Sequence, residues 1–168
     1  MRQLRNSDQP HTLEEKTMIE TPVSIEEMTL SVTQEVRVRA SIETTFAALL
    51  EQLGPLNERP DGSAMPLKLE AWPGGRWFRD LGDGNGHFWG NVQAIKRPTL
   101  LEFIGPLFMS YPVANNVQYR LREEGGETVI EFQHRGFGLI QDAHRKGVST
   151  GWGYILEQAR KRAEGSRG

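Results

Sequence analysis

A single histidine on an apolar strand face is the residue of this sequence best placed for chemistry. His134 follows Ile130 and Phe132 at alternate positions of a segment typical of a β-strand, so the three side chains share one face. A histidine that faces the interior could act as a general acid or base near neutral pH, or bind a ligand oxygen. The alternative is a structural histidine bonded to a nearby backbone group. No serine or carboxylate is placed beside it by the sequence, so neither a triad nor a catalytic residue is predicted.

Aromatic side chains on the same predicted surface form a second candidate site. On a concave sheet face they would line a cavity for a lipophilic ligand, with the Tyr119 hydroxyl orienting a polar group. The alternative for each of them is ordinary core packing. The strand alternation points Tyr119 inward, whereas the orientation of Trp77 and Trp89 is ambiguous. The predicted ligand-binding residues are Trp72, Trp77, Phe88, Phe103, Tyr119, Phe132, His134, Trp152 and Leu156.

The remaining histidines do not support a metal centre. His11, His87 and His144 form neither an HxH nor an HExxH pattern, and the chain has no cysteine. The stretch Gly82-Asp83-Gly84-Asn85-Gly86 superficially resembles a phosphate or calcium loop. It lacks the following helix of the first and the terminal glutamate of the second, so it is interpreted as a hairpin turn. No metal and no cofactor are predicted.

Two stretches could control access to a cavity. Gly147, Gly151 and Gly153 interrupt the start of the last predicted helix, and each weakens it by roughly 0.5–1 kcal/mol relative to alanine. Their missing side chains would either make room for a ligand or allow close packing of the backbone against the sheet. The stretch from Leu107 to Tyr111 is apolar for a connection between strands. It is a lid, a protein contact, or buried packing over the sheet edge.

The elements that must position these residues show two hydrophobic periodicities. Leu30 to Ala40 alternates as a strand does, and Ser41 is then placed to cap a helix that ends before Gly54-Pro55. A closing helix from Gln141 to Glu164 has an apolar stripe at three- and four-residue spacing. Between the helices the predicted strands are 67–72, 76–80, 87–96, 99–104, 114–122 and 128–135.

This order of elements predicts an α+β fold in which one curved antiparallel sheet wraps around the long C-terminal helix. A sheet that curls round one helix leaves a gap suited to a small molecule. The chain has 168 residues and a formal net charge of -2, which fits one domain and no nucleic-acid partner. Apolar runs fall short of the roughly 20 residues that span a bilayer, and no signal peptide is recognisable. A cytoplasmic protein without a membrane span is expected.

Several short motifs resemble those of a known superfamily when their order and spacing are taken together. They are Trp72-Pro73-Gly74-Gly75-Arg76, Gly90-Asn91-Val92 ahead of Pro98-Thr99-Leu100, Gly125-Gly126-Glu127-Thr128, His134-Arg135-Gly136-Phe137-Gly138, His144-Arg145 and Gly151-Trp152. In these features the chain resembles the START-like or Bet v 1-like (SRPBCC) helix-grip proteins, and within them the branch related to the activator of Hsp90 ATPase. The resemblance covers roughly Leu30 to Glu164.

The resemblance implies a β-α-α-β6-α helix-grip fold with a cavity between the sheet and the final helix. Members of the superfamily bind lipids, steroids, polyketides or plant hormones, a minority catalyse cyclisation or dehydration, and the eukaryotic namesake of the branch is a co-chaperone. The predicted organisation is a polar N-terminal tail or arm (1–28), a single helix-grip domain (29–164) and a C-terminal tail (165–168).

Three functional hypotheses follow. The first is binding of a small lipophilic molecule in the apolar cavity. The second is an enzyme of cyclase, dehydratase or hydrolase type that uses His134 with Tyr119 or a glutamate. The third is a co-chaperone-like interaction module, with a chaperone or a second copy of the chain as its partner.

Overall fold

A computed structural model describes residues 24–165 of the protein. It begins with strand β1 (Thr29–Val38) and helix α1 (Ile42–Leu53). Strands β2 to β7 then span Lys68–Leu69, Arg76–Gly82, Asn85–Lys96, Leu100–Gly105, Val113–Glu124 and Glu127–Gly138, and helix α2 spans Asp142–Gly165. Most of the two predicted tails, 1–28 and 165–168, lies outside the described residues.

Helix α1 begins where the sequence supplies a capping side chain. The Ser41 hydroxyl accepts a hydrogen bond from the backbone N–H of Thr44 at 3.2 Å, which satisfies one of the free donors at the helix start. The helix ends before Gly54, as predicted. Its buried face, which includes Phe46 and Leu49, belongs to the same hydrophobic core as α2 and the sheet. The capping and the apolar stripe therefore both act as the sequence indicates.

One helix, rather than the two of the β-α-α-β6-α formula, lies between β1 and β2 in the described chain. The segment 54–67 is a series of turns with one bridge, between Glu58 and Ala64. Pro55 follows the end of α1, and Gly62 has a φ of 80°, which a tight turn requires and an α-helix excludes. The helix-grip fold class itself is confirmed, with turns where the formula has a second helix.

Seven strands form one antiparallel sheet in the order β1-β7-β6-β5-β4-β3-β2. The register sets Val32, His134, Val117 and Phe103 side by side across four neighbouring strands. Residues in register share a face, and all four are buried. The predicted inward orientation of His134 is therefore confirmed.

The turn between β3 and β4 is a two-residue hairpin. Gly82 pairs with Asn85, and the two residues between them have positive φ values, 52° for Asp83 and 76° for Gly84. Two successive residues with positive φ are the mark of the turn type that matches the twist of a hairpin. The interpretation of this glycine-rich stretch as a hairpin turn is confirmed.

Helix α2 packs against α1 and β1 on the inner side of the sheet. It is tied to β1 near its start, where Gln34 donates a hydrogen bond to the Ser149 carbonyl at 2.7 Å. Near its end the Glu164 carboxylate accepts a hydrogen bond from the Arg39 backbone N–H at 3.0 Å. Its buried side chains keep the predicted spacing and are Val148, Trp152, Leu156, Ala159 and Ala163. Hydrogen bonds to β1 and to the residue that follows it thus hold both halves of α2 against the sheet.

Candidate functional site

Most of the predicted ligand-binding residues form the packed core between the sheet and the helices. The Trp77 and Phe103 rings stack with centroids 4.5 Å apart, and the Trp77 indole N–H donates to the Leu53 carbonyl at 2.7 Å. Seven of the nine predicted ligand-binding residues are no more than 2% exposed, and these are Trp77, Phe103, Tyr119, Phe132, His134, Trp152 and Leu156. With the exception of Trp152, these seven do not contribute to the walls of the cavity described below.

Trp72 and Phe88 lie outside this core and are 57% and 45% exposed. Trp72 belongs to the turn between β2 and β3, whereas a bulge in the β3–β4 pair decides the position of Phe88. The bulge sets Trp89 and Gly90 against Trp77, so Trp89 is the extra residue and turns inward. The rings of Trp77 and Trp89 meet edge to face at 5.0 Å. The ambiguous orientation of these two tryptophans is thereby resolved as inward for both.

His134 is fully buried and uses both ring nitrogens. The Trp152 indole N–H donates to Nδ1 at 3.0 Å, and the Nε2–H then donates to Oδ1 of Asn115 at 2.8 Å. The Asn115 amide donates in turn to the carbonyls of Gly105 and Pro106, both at 3.2 Å. Burial lowers the pKa of His134 to about 4, because the charged ring would lose its hydration. His134 is a neutral structural link whose partners are side chains rather than the backbone.

The Tyr119 hydroxyl is buried and has no hydrogen-bond partner within residues 24–165. Burial raises the pKa of Tyr119 well above its ordinary value, because the phenolate would lose its hydration. The ring packs at 5.0 Å from that of Phe132. A buried hydroxyl without a partner costs about 1–3 kcal/mol of stability. Tyr119 thus packs in the core and is not among the residues that line the cavity described below.

A cavity of about 350 Å³ opens between the first half of α2 and the turn segment that follows α1. This volume is at the lower end of the range for small-molecule sites. Trp89 and Phe108 close one side, and their rings meet edge to face at 5.8 Å. The turn segment contributes Asn57, Glu58, Arg59, Pro60 and Met65. Trp89 is the only strand residue of the described chain in this wall, so the cavity lies between the amino-terminal half of the closing helix and the turn segment, and not between that helix and the sheet as predicted.

Two glycines one turn apart form part of the α2 wall. A Cβ placed on Gly147 or Gly151 would meet no heavy atom within 4 Å, so the missing side chains leave open space. Gly153 is different, because its Cβ would lie 3.4 Å from Oε1 of Gln34 and the residue is not in the wall. Of the two alternatives for the three glycines, room for a ligand fits Gly147 and Gly151. Close packing fits Gly153.

The polar side chains of the cavity are concentrated on α2 and the turn segment. The Tyr111 hydroxyl and Nδ1 of His144 are hydrogen-bonded at 2.8 Å, and the two rings stack with centroids 5.5 Å apart. The Tyr154 hydroxyl donates to Oε1 of Glu58 at 2.8 Å. This bond raises the pKa of Tyr154, because ionisation would set a phenolate beside the carboxylate. Outside α2 and the turn segment the wall is formed by Trp89 and Phe108, so the site is a largely apolar space with few polar groups.

The connection from Leu107 to Tyr111 is packed rather than open. Leu107 and Met109 are at most 1% exposed, and the Leu107 N–H donates to the Trp89 carbonyl at 2.8 Å. Phe108 lies between them and lines the cavity. Of the three alternatives, buried packing describes Leu107 and Met109, and Phe108 adds one wall of the cavity.

Sequence reasoning missed the turn segment and the place of His144 in the cavity wall. The segment 57–65 carries no hydrophobic periodicity, and its place opposite α2 depends on the path of the chain after Gly54. The usable signal was the spacing on α2. Gly147, Gly151 and Tyr154 recur at four and three residues, which places them on one helix face together with His144.

Within residues 24–165 no group of three or more histidine, aspartate or glutamate side chains could hold a metal ion. None of the helices in the described part of the chain is long and apolar enough to cross a membrane.

Comparison with known sequences identifies the family. No curated protein matches the chain. The family described as "Activator of Hsp90 ATPase homolog 1-like protein" has a sequence model that matches residues 39–164. The chain belongs to this family. The match begins just after β1 and ends in the last turn of α2, so it includes every residue of the cavity.

Solved structures show the same fold at low sequence identity. CalU16 from Micromonospora echinospora is 20% identical, with a TM-score of 0.57 over 82% of this chain and 76% of that chain. MLL2253 from Mesorhizobium loti is 17% identical, with a TM-score of 0.63 over 82% of this chain and 98% of that chain. The di-domain ARO/CYC StfQ from the steffimycin biosynthetic pathway is 12% identical, with a TM-score of 0.61 over 84% of this chain and 53% of that chain. These likenesses establish the helix-grip architecture.

Proposed function

We propose that this member of the Activator of Hsp90 ATPase homolog 1-like family binds a small, largely apolar molecule in the cavity under the first half of α2. The observation that carries the proposal is the open space of about 350 Å³ whose helix wall is bare at Gly147 and Gly151. Alanine at each position would fit and would favour the helix by about 1 kcal/mol. The two glycines thus make α2 less stable at the positions that border the cavity, which is consistent with a functional need for the open space.

The character of the walls indicates the class of guest. Trp89, Phe108 and Trp152 present aromatic surface, and Met65 and Ile155 add flexible or branched apolar surface. Apolar walls of this kind favour a guest through burial of its own apolar area, at about 25 cal/mol per Å². A flat molecule of one or two rings suits the volume and the ring-lined walls. The proposed site therefore replaces most of the predicted ligand-binding residues and keeps Trp152.

Filling the cavity from the protein side tests the proposal. We expect wild-type protein to bind naphthalene, which serves as the probe. Binding is followed by NMR through the chemical shifts of the naphthalene ring protons. Gly151→Leu should abolish this binding, since its side chain would occupy the open space. Thr150→Leu is the matched control, because the exposed Thr150 is the neighbouring residue of α2 and is not in the wall.

The comparison of the two leucine variants decides the outcome. Loss of binding in Gly151→Leu with retention in Thr150→Leu supports the cavity as the site. Failure of wild-type protein to bind the probe, or equal binding by all three proteins, refutes the proposal. Because both substitutions add the same side chain to the same helix, a general effect of hydrophobicity would alter both variants.

The other two hypotheses receive less support from the geometry. An enzyme built on His134 would need a free ring nitrogen at the cavity, but both nitrogens are bonded and the residue is outside the walls. Chaperone binding is suggested by the description of the family. No feature of the described residues favours it over the binding of a small molecule. We further infer that 29–164 is a single domain, since β1 and α2 belong to one hydrophobic core.

A further inference from the structure

We infer that the guest carries a hydrogen-bond acceptor, such as a carbonyl or carboxylate oxygen, at the end that meets His144. This inference rests on the proposed function and adds the polarity of the guest to it. His144 lines the cavity, is half-buried, and is held in one orientation by its neighbours. Tyr111 stacks on it at 5.5 Å and Phe108 meets it edge to face at 5.2 Å.

The bond between Tyr111 and His144 determines which ring nitrogen carries the hydrogen. A phenol is a stronger acid than a neutral imidazole, so the favoured arrangement has the Tyr111 O–H donating to Nδ1, at 2.8 Å. The hydrogen of the neutral ring is then on Nε2. Within residues 24–165 Nε2 of His144 has no hydrogen-bond partner. Tyr111, the partner of Nδ1, is not in the wall of the cavity, which leaves Nε2 as the ring nitrogen available to a guest.

Apart from the Trp89 indole, whose buried N–H has no hydrogen-bond partner within residues 24–165, the other polar side chains of the wall already have partners or face water. The Asn57 amide donates to the Met65 carbonyl at 2.9 Å. The Tyr154 hydroxyl donates to the Glu58 carboxylate. Arg59 is exposed to solvent and donates to the Ser63 hydroxyl at 3.1 Å. Two ring donors of the wall thus remain among the described residues, the Nε2–H of the half-buried His144 and the buried indole N–H of Trp89, and a donor selects an acceptor. The half-buried ring of His144 is the more accessible of the two.

A pair of probes that differ in one atom position isolates this donor. Acetylnaphthalene carries a carbonyl oxygen, and isopropenylnaphthalene replaces that oxygen by a CH₂ group of similar size. The test compares their affinities for wild-type protein and for His144→Phe, which keeps a ring between Tyr111 and Phe108 but has no donor. We expect the variant to bind acetylnaphthalene about two- to tenfold more weakly, as befits one neutral hydrogen bond. Its affinity for isopropenylnaphthalene should be unchanged.

The outcomes separate this inference from the proposed function. If wild-type protein binds neither probe, the cavity proposal itself fails. If both probes bind and His144→Phe weakens both equally, or neither, the acceptor inference is overturned while the cavity remains. The nitrogen-15 shifts of His144 give an independent readout, and the hydrogen should be found on Nε2 in wild-type protein. Hydrogen on Nδ1 would also overturn the inference, and Tyr111→Phe should shift the ring toward a mixture of the two forms.

Discussion

Replacing His134 by glutamine should remove most of the acid sensitivity of folding between pH 7 and pH 5. Burial holds the pKa of His134 at about 4 in the folded protein, against an ordinary value of 6.5. As pH falls, the unfolded chain therefore binds this proton first, and the free energy of unfolding decreases. The loss begins near pH 6.5 and levels off below pH 4. At about 1.4 kcal/mol per pKa unit, it amounts to about 2 kcal/mol by pH 5 and about 3 kcal/mol by pH 4.

Glutamine is the informative replacement because it can keep both hydrogen bonds without titrating. Its amide can donate to Oδ1 of Asn115 and its carbonyl can accept from the Trp152 indole, the two partners of His134. His134→Leu provides the contrast, since it leaves both partners buried and unpaired at about 1–3 kcal/mol each. The leucine variant should therefore be weaker at every pH, whereas the glutamine variant should lose only the pH dependence.

The assay is urea unfolding followed by tryptophan fluorescence at pH 7, 6 and 5. This window excludes Glu70 and Glu164, whose pKa values are held at about 2 by hydrogen bonds from Arg76 and Arg39. Their contributions to stability are present above their ordinary value of 4.5 and are lost only below it. Parallel stability–pH curves for wild type and His134→Gln would refute the reasoning, because the slope would then come from other groups.

Four further substitutions have defined expectations. Gly151→Ala should raise the free energy of unfolding by about 1 kcal/mol, measured in urea, because its Cβ meets open space and alanine favours the helix. Tyr119→Phe should also raise it, by about 1 kcal/mol, since the buried hydroxyl has no described partner; a fall would contradict this. Glu164→Gln should lower the melting temperature at pH 7, with the difference from wild type shrinking as pH falls from 4.5 toward 2. Trp72→Ser should leave naphthalene binding unchanged in a titration, because Trp72 is exposed and outside the cavity wall.

The regular elements could be predicted because their signals are local. The closing helix was expected from Gln141 to Glu164 and spans Asp142–Gly165. Its buried residues repeat every three or four positions, and this pattern exists in the sequence before any folding. The last strand was expected over 128–135 and spans Glu127–Gly138, for the corresponding reason of strict alternation. Such patterns fix the type and face of an element, but not what lies opposite it.

The cavity wall could not be predicted because it depends on irregular and long-range features. A bulge that the sequence does not announce turns Trp89 inward and Phe88 outward. One of the two hydrogen-bond partners of His134 is Asn115, which comes from the neighbouring strand β6 and becomes visible only through the strand register. The turn segment 57–65 reaches the cavity through the path of the chain. Sequence periodicity therefore predicts which face of each strand and helix is buried. It does not predict the position of the cavity, which depends on the bulge and on the path of the turn segment.

Trp152 belongs at once to the wall of the cavity and to the hydrogen-bond chain through His134 to Asn115. Protonation of His134 at Nδ1 would break the hydrogen bond from the indole N–H, because Nδ1 could then no longer accept it. By linkage, a guest that held the indole in its present position would lower the proton affinity of His134, and acid would lower the affinity for such a guest by the same factor.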